Sequence, residues 1–511
     1  MDQWLKVSLM LCTFGFFREY RPSEPFVFEF MSGPWRNISA EVINREIYPM
    51  GTYFYLGLLV LVFLVTDMLR YKPIIVLSAI SGICLWAILL WTYTLQWLYV
   101  TQFFYGFFMA AEVAYYTYIY AKVDRHRYQQ VTGHTRSAIL TGRFLAGTTA
   151  QLLVSFELMD FRDLNYISFG SQVVSLGISI VLPSVGISLY FYARKAPPIE
   201  SVEVVPSAPA AEEKPEDPPQ TDLHSYTNHA ADLDDEKESN MVVRRRFEES
   251  DAADAVKSKT DGDGNTPTNG RAITDIPNAD SSSIKEEKIR FSCQRATLLL
   301  WQHFIAGYSN RTVFQWSLWW ALAMCGFLQV QTYIQPLWQQ IDYGRETFWN
   351  GAVEAILTLL GALSALLAGS LNARLIEKWD LWILTICSLV EGALILGAAF
   401  TQYVMVAYVT YILFGTLYHF MITIASATVA KYLVEDSFAL IFGINTMFAL
   451  LFQTIMTIIV ISDVGFALDP RGQFQVFGWY FVCLAAIFGA TGVVKIVNRK
   501  CRGGTFQLAS N

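Results

Sequence analysis

Twelve apolar runs, each about twenty residues or longer, dominate this chain of 511 residues. They fall near 6–30, 48–69, 73–94, 96–122, 137–158 and 165–193, then near 311–338, 348–371, 380–400, 402–430, 436–462 and 473–497. A helix of that length crosses roughly 30 Å of hydrocarbon. Lipid offers no partner for a backbone N–H or C=O, so each run must satisfy its own hydrogen bonds as helix. The pattern therefore predicts an all-α integral membrane protein of 12 transmembrane helices in two six-helix halves. Composition agrees: only 16% of residues are charged, where soluble domains average about a quarter. Aromatics reach 15%, as interfacial belts require.

The halves are expected at 1–195 and 296–500, with a tail at 501–511. Between them, 196–295 is rich in Pro, Glu, Asp, Lys, Ser and Ala and almost without apolar periodicity. Such a segment cannot bury enough surface to offset its ordering entropy, so it reads as a disordered cytoplasmic tether. The first apolar run ends in Arg18-Glu19-Tyr20-Arg21 rather than a small-residue cleavage site, so it reads as a retained span. The seven cysteines are scattered without CxxC spacing, which argues against a metal site or a disulfide framework. No Gly-rich phosphate loop, Ser-His-Asp pattern or basic run for nucleic acid is legible, so neither an enzyme nor a cofactor is expected.

Basic residues set the orientation. Arg70, Lys72, Lys122, Arg125, Arg127, Arg194, Lys195, Arg374, Lys378 and the Lys495–Arg502 cluster share one side if both termini are cytoplasmic. Asn37-Ile38-Ser39 is then an outward glycosylation sequon, whereas Asn310-Arg311-Thr312 faces inward and should stay bare. The inner turns echo each other: Asp67 and Arg70 join the second and third spans, and Arg374, Glu377 and Lys378 join the eighth and ninth. Six plus six spans with a repeated charged turn make the architecture major-facilitator-like, with Asp67 and Arg70 expected to gate.

Ionisable groups at bilayer depth are functional candidates, because each costs several kcal/mol unless it faces a cavity or a partner. Glu112 lies about ten residues from the inner end of the fourth span, roughly 15 Å deep. Tyr105, Phe108, Met109, Tyr115 and Tyr116 share its helix face on an ideal helix. A carboxylate among aromatic faces suits a flat organic cation. Arg143 sits roughly 10 Å into the fifth span. It neutralises Glu112, binds an anionic group or snorkels. Glu354, Glu391 and His419, which is beside Tyr418, are polar groups within second-half spans, able to carry a coupling proton or to hydrogen-bond a neighbouring helix. Arg21 and Glu24 accompany Pro22 and Pro25 in a broken first span, the form of a cavity-lining segment.

Several of these residues fall in longer motifs. Arg21-Pro-Ser-Glu-Pro-Phe26, Thr66-Asp-Met-Leu-Arg-Tyr-Lys-Pro73, Phe103-Phe-Tyr-Gly106 and Ala111-Glu-Val-Ala-Tyr-Tyr116 resemble the reduced folate and thiamine carriers, solute carrier family 19. So do Trp316-Ser-Leu-Trp-Trp320, Asn350-Gly-Ala-Val-Glu354, Leu440-Ile-Phe-Gly-Ile-Asn-Thr446 and Gln453-Thr-Ile-Met-Thr457. The resemblance covers both halves and skips the tether. It implies a major-facilitator fold in the plasma membrane and uptake of a B vitamin. Folate carriers of the family present cations to the glutamate carboxylates of their substrate; the matching positions here are Glu112, Gly415 and Gln453. Glu112 is what the thiamine branch carries, and thiamine is a cation, so the chain resembles that branch more closely. It departs from the branch at Gln102 (an acid there), at Gly51 (an aromatic in that region), at Leu328 (an asparagine) and at Arg143 (an aromatic).

The expected function is inward transport of thiamine or a close derivative by alternating access. Glu112, Tyr105, Tyr116, Arg143, Gln102 and Tyr418 are the expected substrate contacts. Asp67, Arg70, Arg21, Glu24, Glu354 and His419 are expected to gate or couple, with a proton or an organic anion as coupling ion. A reduced folate carrier using Arg143 and Arg21 is the alternative. A non-transporting sensor signalling through the tether is a third reading, separable by deleting about 200–285.

Overall fold

The computed structural model describes residues 3–122, 128–185, 293–342, 349–371, 373–433 and 438–508. The expected tether lies outside the described residues but for 293–295, which are helical; Arg125 and Arg127 lie outside them too. Everything described is helix or connecting turn. Among the described residues nine helices are long and apolar enough to cross a membrane. They coincide with the second, third, sixth and all six second-half runs of the sequence. The first, fourth and fifth runs are helical too, and each departs from a simple apolar rod for a physical reason.

The first is broken. Helix α1 (Gln3–Glu19) ends in a turn at Pro22, a single 3-10 turn follows at Glu24–Phe26, and α2 (Val27–Ser32) resumes. Pro22 and Pro25 have no N–H to continue the ladder. Neighbouring helices supply the missing partners: Ser168 Oγ accepts from Ser23 N at 3.1 Å, and Ser171 Oγ donates to Phe17 O at 2.6 Å. Loop 33–39 then carries an exposed Asn37 at φ 50°, and the Ser39 hydroxyl accepts from Val42 N to start α3 (Ala40–Val42). A π-helical turn leads into α4 (Tyr48–Met68). Positive φ at Arg70 and Tyr71 reverses the chain into α5 (Lys72–Trp91). The Asp67 side chain lies outside the described residues, as do those of Arg374 and Glu377, so the expected inner latch is not visible.

The fourth run is two helices, α6 (Leu95–Ala110) and α7 (Glu112–Lys122), joined at Ala111. The fifth, α8 (Tyr128–Ser155), has length to spare but carries Gln, Thr and Arg through its middle. Helix α9 (Asp163–Val181) closes the first half. In the second half, α10 (Cys293–Ser309) precedes the expected spans and was not foreseen. Asn310 separates it from α11 (Arg311–Ile341) by capping the N–H groups of Thr312 and Val313. Then follow α12 (Asn350–Ser370), α13 (Ala373–Phe400, kinked at Trp379), α14 (Val404–Tyr432), α15 (Phe438–Val460) and α16 (Pro470–Leu508).

The halves meet in two layers. Toward loop 33–39, α8 and α12 touch backbone to backbone: a Cβ on Gly147 would lie 2.7 Å from Gly351 O, and one on Gly351 2.8 Å from Gly147 O. Small residues are what lets membrane helices approach this closely. Toward the opposite end, Tyr116 of α7 lies against Phe442 of α15, ring centroids 6.2 Å apart, and Phe63 fills the space over Gly443. The glycine pair also sets the site. Arg143 is one turn from Gly147, and Glu354 is one turn from Gly351, so both are presented to the same interior space.

Candidate functional site

Between the two layers lies a cavity of about 250 Å3, walled by both halves. The first half contributes Glu19, Arg21 and Glu24 from the broken span, Tyr48, Gly51 and Tyr55 of α4, Gln102, Tyr105 and Met109 of α6, and Arg143 of α8. The second half contributes Phe327, Leu328, Gln331, Thr332 and Gln335 of α11, Glu354 and Thr358 of α12, His419 of α14 and Gln453 of α15.

The break after α1 gathers charge. Glu19 is buried to 1% and bonds three guanidiniums: Arg18 through Oε1, and Arg21 and Arg143 through Oε2 at 2.7 Å each. Arg21 also holds Glu24 at 3.0 Å. Arg18 donates to Phe108 O at 2.8 Å, and the Arg18 and Arg21 guanidiniums lie 4.4 and 5.4 Å from the Phe108 ring centroid. A carboxylate out of water needs this density of donors, because isolated burial of a charge costs several kcal/mol. Arg18 and Arg21 are 3% exposed, but the side chains of Glu24 (45%) and Arg143 (32%) open to the cavity.

The second half answers with amides. Gln335 donates to Glu24 O at 3.2 Å and accepts from Phe28 N at 3.1 Å. Asn350 donates to Pro25 O at 3.1 Å and to the Glu29 carboxylate at 2.8 Å. Backbone groups of the broken segment, Glu24 O, Pro25 O and Phe28 N, are thus engaged from across the interface. Glu354 accepts from the Tyr411 hydroxyl at 2.9 Å. His419 sits in the space left by Gly361 and packs edge-on against Phe327.

Seven residues singled out from sequence stand on this one wall: Arg21, Glu24, Gln102, Tyr105, Arg143, Glu354 and His419. Three expected substrate contacts do not. Tyr418 is 5% exposed and lies behind the wall, stacked on Phe327 at 3.9 Å. Tyr116 belongs to the layer against Phe442. Glu112 starts α7, half-buried, and accepts no hydrogen bond from a described residue; it acts through space on Arg143, Tyr55 and Tyr116. Of the three readings of Arg143, pairing with Glu112 gives way to pairing with Glu19. Arg70 lies in its turn, away from the cavity wall. Glu391 is fully buried between α13 and its neighbours.

Glu19, a span-ending charge in the sequence, and the capping amides Gln335 and Asn350 belong to the site without having been expected there. A signal was present: charges at 18, 19 and 21 directly before two prolines mark a break with its own counter-ions.

The reduced folate carrier family model matches residues 2–476. The chain is 34% identical to Thiamine transporter 1 of Mus musculus, over 98% of this chain and 91% of that one. It is 35% identical to Thiamine transporter 2 of Homo sapiens (95% and 90%) and 30% identical to Folate transporter 1 of Caenorhabditis elegans (99% and 95%). Among solved structures, it resembles the nucleoside transporter NupG at TM-score 0.53 and 12% identity, covering 96% of this chain and 99% of that one. It also resembles the POT family transporter PepTSo at 0.56 and 13%, covering 97% and 99%. These likenesses carry the major-facilitator fold alone.

Proposed function

The chain belongs to the reduced folate carrier family, and from that premise we propose that it carries thiamine or a close thiamine derivative into the cell by alternating access. It is a vitamin transporter and not an enzyme, as its family and relatives are transporters. In this reading it resides in the plasma membrane with both termini cytoplasmic, and Asn37 faces outward as a glycosylation site.

One observation supports thiamine over folate. The carboxylates lining the cavity, Glu24 and Glu354, come from opposite halves and share it with the rings of Tyr48, Tyr55, Tyr105 and Phe327. Acids among aromatic faces attract a flat cation by charge and by the ring quadrupole. A dianionic folate would meet Gln453 on the wall and Gly415 packed under Leu357 at the positions where folate carriers place cations. Glu24, Tyr105, Gln102 and Arg143 are the proposed substrate contacts. Glu354 and His419 are proposed to take up a coupling proton from the same cavity. Glu112 lies behind the wall and acts on Arg143 through space alone.

The test is uptake of labelled thiamine and labelled folate by cells expressing the full chain. Saturable thiamine uptake is expected. Glu24→Gln should lower it about tenfold or more at unchanged surface amount, the scale of a lost charge-assisted contact. Glu112→Gln should lower it less. Saturable folate uptake without thiamine uptake would overturn the assignment.

A further inference from the structure

We infer that Arg143, in a cavity also lined by Gln102, forms an oxyanion subsite, so that the preferred substrate carries a compact oxyanion as well as a cationic ring. Three guanidiniums share two carboxylates at the α1 break, so one of them lacks a bonded carboxylate of its own. Of the three, Arg143 is the one that opens to the cavity, its side chain 32% exposed where Arg18 and Arg21 are at 3%. Arg143 spends its Nε–H on Glu19. Its two terminal Nη groups bond no described residue and face the cavity, a planar fork that matches a carboxylate or phosphate with two parallel hydrogen bonds. Glu112 attracts Arg143 through space but makes no hydrogen bond to it.

Gly51 and Gln102 line the same space. A Cβ on Gly51 would stand 2.5 Å from Gln102 Oε1 and 3.7 Å from the Tyr105 ring, so any side chain at 51 would push into the wall. Gln102 bonds no described residue, lines the cavity, and is one helical turn from Tyr105, which feels the Arg143 charge. The result is a neutral amide seated over a glycine and a two-toothed cation lining one cavity. Glu24 and Glu354 remain on that wall for the cationic ring. The oxyanion belongs to the substrate itself or to a small co-transported anion, and both use the same fork.

The choice of probes rests on the thiamine reading. Labelled thiamine uptake is measured in cells expressing the full chain, with unlabelled thiamine, its phosphate monoester, or thiamine plus inorganic phosphate as competitor. In wild type the monoester should compete at a concentration about tenfold to a hundredfold below thiamine. Arg143→Gln should erase that preference, and Arg143→Lys should keep part of it. Glu19 retains Arg18 and Arg21 in both variants, and surface biotinylation checks that they are made. If inorganic phosphate with thiamine reproduces the gain and Arg143→Gln removes it, the subsite stands and the anion is co-transported. Equal competition in wild type, or a preference that survives Arg143→Gln, overturns the subsite and leaves the thiamine assignment intact. If thiamine is not transported at all, that assignment fails instead. Labelled folate then becomes the probe, and uptake weakened by Arg143→Gln upholds the subsite whereas unchanged uptake overturns it.

Discussion

The two halves bring different kinds of bond to the same cavity. At the α1 break the ion pairs Arg18–Glu19, Arg21–Glu19, Arg21–Glu24 and Arg143–Glu19 all lie within the first half. Across to the second half run neutral or singly charged hydrogen bonds from Gln335 and Asn350, together with Gln151 accepting from Ala352 N at 3.0 Å. The difference has a mechanical meaning. Breaking a buried ion pair costs about 3–5 kcal/mol, whereas a typical neutral hydrogen bond is worth about 1 kcal/mol net. Alternating access requires the halves to part on one side and then the other. The expensive bonds stay inside the first half, and the cheap ones lie along the seam.

The largest expected effect comes from breaking the first-half cluster. Glu19→Gln removes the carboxylate shared by three guanidiniums and leaves Arg18 and Arg21 buried with too little counter-charge. The loss should be about 3–5 kcal/mol, enough to abolish most surface expression and to lower the thermal midpoint of purified protein. Glu19→Asp should recover part of both. Normal expression of Glu19→Gln would mean that the cluster is not what holds the break together.

That cluster also marks how far the sequence could be read. Spans were legible because lipid tolerates few charges and hydrocarbon thickness sets helix length, so even the polar α8 is found by position. The broken first span was legible from Pro22 and Pro25, and with it Arg21 and Glu24. The rotational phase of the fourth span was not. Gln102, Tyr105 and Met109 form a wall stripe that an unbroken helix would continue to Glu112 and Tyr116. The turn at Ala111 interrupts it, and no proline or glycine announces that turn. Each residue rotates the face by about 100°, so a one-residue irregularity moves Glu112 off the wall while leaving its depth unchanged. Gln335 and Asn350 were illegible for another reason: their value lies in carbonyls and N–H groups more than three hundred residues away.

The seam predicts a smaller and different effect. Gln335→Ala and Asn350→Ala each remove two hydrogen bonds that hold the α1 break closed from the second half, worth about 1 kcal/mol per neutral bond and about 1.5–3 kcal/mol for that of Asn350 to the Glu29 carboxylate. Stability should change little. The balance between conformations should shift toward the form in which the halves part near loop 33–39. A cysteine placed at Met31, on the cavity wall, would report this as faster labelling by an impermeant thiol reagent in the variants. About fivefold is expected for 1 kcal/mol. If the labelling rate is unchanged while stability falls by several kcal/mol, the amides belong with the cluster and the contrast between the halves fails.

The contrast is sharpest where charge does cross the seam. Arg45, before α4, reaches Asp463 at 3.3 Å and Ala467 O at 2.9 Å, while also holding Glu41 of its own half. If the sign of the bond mattered more than its burial, this pair would lock the halves. It is exposed, however, with Arg45 at 27% and Asp463 at 71%, and pairs of that kind are worth about 0.2–1 kcal/mol and are screened by salt. Asp463→Asn should therefore change the Met31-site labelling rate by less than about fivefold. The effect should shrink further as salt is raised from low to physiological strength. A larger, salt-insensitive change would show that the seam contains a strong bond after all, and the division between costly bonds within one half and weak bonds between halves would have to be redrawn around Arg45.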